Sequence, residues 1–322
     1  MPFALRVAVS VALLALVLSQ VEWGGVRDAL TRADLVWLAV ALVGFNGSMV
    51  LASRRWRAIV SADARGRPRL GAGAAVRATY VSLWLSNFLP TAFGGDVARV
   101  LAARRAGARL PVALSSAVLD RYLGLTTLAF LFLLFEALRI LGGDASPLLP
   151  AAAAIAAAFG FVLLAIWAAS HLAIGRAGLR KPAVRFVARA ARLLRDLAAN
   201  RQATARVVAA SLVATLLGAA AYWGAIRCVS TAVTFPAALA VATVGTVASA
   251  LPVSLSGWGV REGAVAVALT QSMGLSNSDA SLVAVLNGLV IGATSLIGFA
   301  LTLADGRNGA GSPATRGSLP LP

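Results

Sequence analysis

Long apolar runs alternate with short polar connections along almost the whole chain. The runs cover residues 3–21, 34–53, 72–93, 112–138, 148–170, 207–229, 235–255, 263–275 and 280–304. Most reach the roughly 18–20 apolar residues that cross a hydrocarbon core of about 30 Å as a helix. The 263–275 run spans only about 20 Å at 1.5 Å per residue, too short to cross alone. A different pattern occupies 180–202. Arg185, Arg189, Arg192 and Arg195 fall on one helical stripe, and Phe186, Val187, Ala190, Leu193, Leu194 and Leu197 fall on the other side. That stretch predicts an amphipathic helix lying flat on an anionic leaflet, an orientation signal and membrane anchor.

Composition supports the pattern. Of 322 residues, 59% are hydrophobic and 13% charged, against about 25% charged in ordinary globular domains. The mean hydropathy is +0.84. The expected fold is all-α: one polytopic integral membrane helix bundle over 1–305, with about six to eight transmembrane helices. Residues 306–322, rich in Gly, Pro and Ser, read as a disordered cytoplasmic tail. Arg6 and the apolar run to Leu18 resemble a leader, but Gln20-Val21-Glu22-Trp23 follows without a small-residue cleavage site, so a retained first helix is expected.

Charge then sets the topology. The net charge is +17, and Arg supplies 28 of the 29 basic residues. These residues sit in short connections between apolar runs, so they signal orientation rather than nucleic-acid binding. Six lie in 54–70 (Arg54, Arg55, Arg57, Arg65, Arg67, Arg69), four in 96–111, nine in 171–206, and none in 230–234. With basic loops on the cytoplasmic side, 54–70 and 96–111 share a face. The intervening segment 72–93 must then enter and leave on that face as a re-entrant hairpin. Asn87-Phe88-Leu89-Pro90 and Phe93-Gly94-Gly95 supply the break. A second hairpin, 235–275, enters from the opposite face with SLSGWGVREG (254–263) at its tip. Both termini fall on the cytoplasmic side. Paired interrupted segments point to a transporter with a binding site near the midplane.

Charged residues inside apolar segments cost about 2.5–3.5 kcal/mol each and face a protein interior or a wet cavity. Arg121 lies about 14 Å into its segment, and Asp120 beside it points another way, so each needs a partner elsewhere. Arg77 is shallow enough to snorkel. Asp96 and Arg99 are spaced to pair on one helix face. Arg261 and Glu262 start a helix after Gly257-Trp258-Gly259. Free N–H groups there, beside a guanidinium, would make an anion site. The competing reading is a salt-bridge lattice, for example Arg261 with Asp96 or Asp120, holding two halves together. No nucleophile elbow, P-loop or zinc-protease motif occurs, so no enzymatic activity is expected. One His (His171) and one Cys (Cys228) leave no multi-ligand metal site, and no cofactor is expected.

Three motifs carry a family resemblance. Asn87-Phe88-Leu89-Pro90 with Gly94-Gly95-Asp96-x-x-Arg99 resembles the first signature of the lysylphosphatidylglycerol synthase transmembrane, or flippase-like, family. Leu119-Asp120-Arg121-x-x-Gly124-Leu125 is similar to its next element. Leu251-Pro252-x-Ser254-x-Ser256-Gly257-Trp258-Gly259-x-Arg261-Glu262-Gly263 is similar to the second signature. The resemblance implies a bacterial inner-membrane domain that moves lipids between leaflets. Its partners would be anionic or phosphate-bearing lipids. The sequence as given carries no attached synthase domain, so no synthase activity is carried over. On this reading Arg77, Asn87, Pro90, Gly94, Gly95, Asp96, Arg99, Asp120, Arg121, Pro252, Gly257, Gly259, Arg261 and Glu262 bind a headgroup or line its cavity. The alternatives are an ion- or proton-coupled solute transporter, with Asp120 or Glu262 carrying the proton, and a lipid-modifying membrane enzyme. Lipid transport further requires guanidinium groups that border a wet crevice and are not all sealed against carboxylates.

Overall fold

The computed structural model describes residues 3–19, 35–66, 68–88, 95–143, 153–154, 157, 160–161, 164, 182–250 and 257–310. The 148–170 segment for the most part, Pro90, Gly94, Pro252 and the chain beyond 310 lie outside the described residues. The described chain is helical: α1 Phe3–Ser19, α2 Leu35–Ser61, α3 Ala72–Phe88, α4 Asp96–Arg105, α5 Leu110–Leu141, α6 Pro182–Ala199, α7 Arg201–Arg227, α8 Phe235–Ala250, α9 Val260–Met273 and α10 Asn277–Ala310. Among the described residues, four stretches are long and apolar enough to cross a membrane: Leu35–Ser61, Leu110–Leu141, Arg201–Arg227 and Asn277–Ala304. Large apolar side chains on them, such as Val43, Phe130, Leu138, Val213, Leu289 and Leu296, face outward, as a lipid-facing surface requires.

The broken segments fold as helix–break–helix pairs. In the first, α3 and α4 pack together. The return leg is α4, which the sequence reading had placed in a basic loop, because 72–88 forms a single uninterrupted helix. Gly95 is what lets the chain fold back so tightly. A side chain there would collide with the Ser82 carbonyl and the Ser86 hydroxyl. In the second pair, α8 and α9 pack against each other at about 24 and 21 Å long, each short of a full crossing. The elements packed against both pairs are α5, which touches α4 and α8, and α10, which touches α3 and α9.

Small residues set the closest approaches. α2 and α7 form the most extensive helix pair. A Cβ on Gly44 would lie 2.8 Å from the Leu217 carbonyl oxygen, and one on Gly224 would lie 2.7 Å from the Ala41 nitrogen. Two helices in lipid gain little from apolar burial alone, so this backbone-to-backbone contact, rich in dispersion, holds them together. α10 meets α3 the same way, with Gly298 against the Tyr80 carbonyl. A polar tie crosses the interface of three helices: Tyr80 donates to Asn46 Oδ1 (2.9 Å), and Asn46 Nδ2 donates to Thr294 Oγ1 (3.1 Å).

Two further elements bear on the sequence expectations. α10 continues to Ala310, so residues 306–310 are helical. The amphipathic helix exists as α6, and part of its apolar stripe packs on protein while Phe186, Val187 and Leu194 stay partly exposed. Leu193 and Leu197 are buried in a cluster with Ile59 of α2, Leu119 of α5 and Val207 of α7.

Candidate functional site

The intramembrane charges sort into two separate groups. The first is built where α2, α4 and α5 meet. Asp120 is 2% exposed and accepts from two guanidinium groups: Arg55 Nε at 2.7 Å and Arg99 Nη1 at 3.0 Å. Its neighbour Arg121 points away and donates from Nε to Asp96 Oδ2 at 2.9 Å. Successive residues on a helix diverge by about 100°, so one dipeptide serves two partners. The pairing is therefore crosswise. Asp96 and Arg99 do not bridge each other along α4. Each reaches across to α5.

Arg55 was missed. The apolar pattern ends at residue 53 and makes Arg55 a loop charge, whereas α2 runs to Ser61 and carries Arg55 inward at 6% exposure. The legible signal was Gly124. A Cβ at that position would lie 3.1 Å from an Arg55 guanidinium nitrogen, so the bare helix face makes room for the head of the arginine. Arg99 also lies over the Trp56 ring, 5.7 Å from its centroid, a cation–π contact. Glu136, fully buried and 3.4 Å from Arg139, is a buried carboxylate that the sequence pattern does not single out.

This first group is not saturated. Among the described residues, Asn87 Nδ2, Arg99 Nε and Asp96 Oδ1 are buried with no hydrogen-bond partner. Buried polar atoms in folded proteins are nearly always paired with protein or water. All three atoms belong to residues at or near the α3–α4 break. Three guanidinium groups face two carboxylates, so the group carries a formal excess of positive charge. The side chain of Arg121 is 43% exposed, while Arg55 and Arg99 are sealed against Asp120.

The second group lies at the start of α9. Gly257 and Gly259 adopt φ of +84° and +81°, which L side chains rarely adopt. A Cβ on Gly257 would also press on Ser249 of α8 at 2.8 Å. The tight turn delivers Glu262 to the third position of the helix, where Oε2 accepts from the Gly259 N–H at 2.8 Å. Oε1 accepts from Arg261 Nε at 2.9 Å, with Arg261 Nη2 also donating to it. Arg261 lies over Trp258, 5.1 Å from the ring centroid. This geometry corrects the expectation of an open anion site. Glu262 is 1% exposed and already occupies the helix N-terminus as an internal anion. Nor does Arg261 bridge to Asp96 or Asp120. Gly288 of α10 packs on the pair, its Cβ position 3.2 Å from Glu262 Oε1.

Of the remaining predicted residues, Arg77 donates to the Leu301 carbonyl at 2.9 Å and ties α3 to α10. Gly95, Asp96, Arg99, Asp120 and Arg121 come together at the first break, and Asn87 ends the helix leading into it. Gly257, Gly259, Arg261 and Glu262 form the second group. Among the described residues no cluster of three or more His, Cys, Asp or Glu side chains is placed to hold a metal.

A search of curated proteins finds no match to the chain. The family described as "Lysylphosphatidylglycerol synthase TM region" matches residues 3–298, which include both helix pairs, both charged groups and the glycines that shape them, and the chain belongs to that family of multi-pass helical membrane proteins.

Proposed function

We propose that the protein is a lipid translocator of a bacterial inner membrane, with both termini on the cytoplasmic side. It would pass a phosphate-bearing headgroup along the α3–α4 break while the acyl chains stay in the bilayer. The observation that carries this reading is the half-exposed Arg121, paired with Asp96 beside buried polar atoms that lack partners. A guanidinium at membrane depth that is neither fully sealed nor at a helix end is costly. A passing phosphate would pair with it and would accept hydrogen bonds from the unpartnered N–H donors of Asn87 and Arg99. Asp96 holds Arg121 in place between ligands. Arg55, Arg99 and Asp120 form the fixed wall behind it, and Arg261 with Glu262 is structural. The orientation rests on the arginines after α2, just before α5 and along α6 gathering around one cavity. The reading involves no covalent step.

Proton-coupled solute transport is the weaker reading. Both oxygens of Asp120 and both of Glu262 are already engaged, so a proton arriving there would strip buried cations of their counter-ion.

The test is reconstitution in liposomes carrying a fluorescent phospholipid, with leaflet exchange read by quenching of the outer label. The parent protein exchanges lipid faster than empty vesicles. Arg121→Ala, checked for a single gel-filtration peak, slows exchange at least tenfold. Exchange at the parent rate in folded Arg121→Ala, or none above empty vesicles with the parent, would overturn the reading.

A further inference from the structure

A second cationic site lies outside both charged groups, in a cavity at the basic end of the bundle. The cavity is lined by Arg189, Arg192, Leu193 and Asp196 of α6, by Arg109, Pro111, Val112 and Ser115 at the start of α5, and by Asp63 and Arg65 in the turn after α2. Its volume is about 210 Å³, far above the roughly 10–15 Å³ that a single water needs.

Its charges are unbalanced. Four arginines meet two aspartates. Asp63 is committed locally, its oxygens accepting from the backbone N–H groups of Arg65 (3.3 Å) and Gly66 (3.2 Å). Among the described residues none of the four arginines forms an ion pair. The arginines also sense one another. Desolvation lowers Arg192 from the ordinary arginine range, and the neighbouring charges of Arg65, Arg189, Arg195 and Arg109 lower it further. Like charges gathered around one cavity repel, and an anion among them would relieve that repulsion.

An independent observation points to a ligand. Ser115 is fully buried, lines the cavity, and its hydroxyl has no hydrogen-bond partner among the described residues. Serine hydroxyls in helices commonly bond back to a carbonyl one turn earlier, as Ser116 does with Ala113. Ser115 does not. The N-terminus of α5 opens beside it, with no side chain capping it, which adds positive potential from the helix dipole.

We propose that this cavity binds a phosphate-class anion, held by Arg65, Arg109, Arg189 and Arg192 and accepting a hydrogen bond from Ser115. The stripe of arginines on α6 then has a purpose beyond orientation: two of its members close the site from above. The docked apolar face of α6 is what fixes them there. Phosphate and diphosphate groups match a ring of several guanidinium groups in charge and in oxygen count. Such a group can arrive free from the aqueous side or on a lipid of the adjoining leaflet.

The test uses the full chain in detergent and in nanodiscs. In detergent, inorganic pyrophosphate is titrated by calorimetry, with sodium sulfate at matched ionic strength as the control. In nanodiscs, phosphatidic acid is compared with neutral phosphatidylcholine by thermal unfolding. Binding of pyrophosphate in detergent marks a soluble source. Stabilisation by phosphatidic acid alone marks a lipid source, and either supports the site. In both arms Arg109→Gln with Arg192→Gln, both exposed side chains, weakens binding at least tenfold. Ser115→Ala, which breaks no existing hydrogen bond, weakens it severalfold. The proposal is overturned if neither probe binds, if sulfate matches pyrophosphate, or if the variants bind as the parent does.

Discussion

Replacing Asp120 with Asn removes one negative charge from between two buried guanidinium groups while leaving side-chain volume almost unchanged. At an effective dielectric near 20, a charge pair about 4 Å apart is worth about 4 kcal/mol, and Asp120 makes two such pairs, so the gross loss is about 8 kcal/mol. The amide oxygen still accepts from one arginine, and relaxation toward the exposed edge at Arg121 recovers part of the rest. Breaking a buried pair by removing one partner costs about 3–5 kcal/mol in practice, and we expect Asp120→Asn to lie in the upper half of that range. The assay is equilibrium unfolding in mixed micelles followed by tryptophan fluorescence, since Trp56 sits under Arg99. A compensating variant separates charge from packing. Asp120→Asn with Arg99→Met removes one stranded cation and should recover at least half the loss, giving a coupling energy of at least about 2 kcal/mol. If Asp120→Asn unfolds within about 1 kcal/mol of the parent, the two arginines do not depend on Asp120, and the account of the fixed wall is wrong.

Other outcomes follow from the same geometry. Glu262→Gln leaves Arg261 buried without its counter-ion and should cost about 3 kcal/mol, with a change in emission from Trp258, in the same unfolding assay. Gly224→Val, pressed against the Ala41 nitrogen, should cost about 1–3 kcal/mol, whereas Gly263→Ala, which meets open space, should stay within about 0.5 kcal/mol. Leu197→Glu should detach α6 and speed tryptic cleavage at Arg195, read by mass spectrometry of the fragments, with the bundle itself intact.

Helix placement was largely legible because length and apolarity alone decide what can cross a bilayer. The break after Phe88 and the turn at Gly257-Trp258-Gly259 were legible because Gly and Pro mark where a helix cannot continue. Side-chain partnership was harder to read. Arg55 looked like a loop charge because Arg54-Arg55-x-Arg57 follows an apolar run, and nothing local says whether a helix continues past such a cluster. Asp96 and Arg99 suggested an intrahelical pair by spacing, yet spacing ranks only partners on the same helix, and both chose partners on α5. Arg261 and Glu262 should diverge as helix neighbours, but a carboxylate in the first turn can curl back to the exposed N–H groups and meet the arginine there. The apolar stripe of α6 fitted a leaflet and a protein groove equally well, since both present the same chemistry to leucine.

The crossed pairing between α4 and α5 has a mechanical consequence. Asp96 with Arg121 and Arg99 with Asp120 form two rungs of opposite polarity. Sliding α4 by one turn, about 5.4 Å, would break both rungs together, so no intermediate register offers a foothold. α4 and α5 must therefore travel as one piece, so a movement of α4 carries α5 with it.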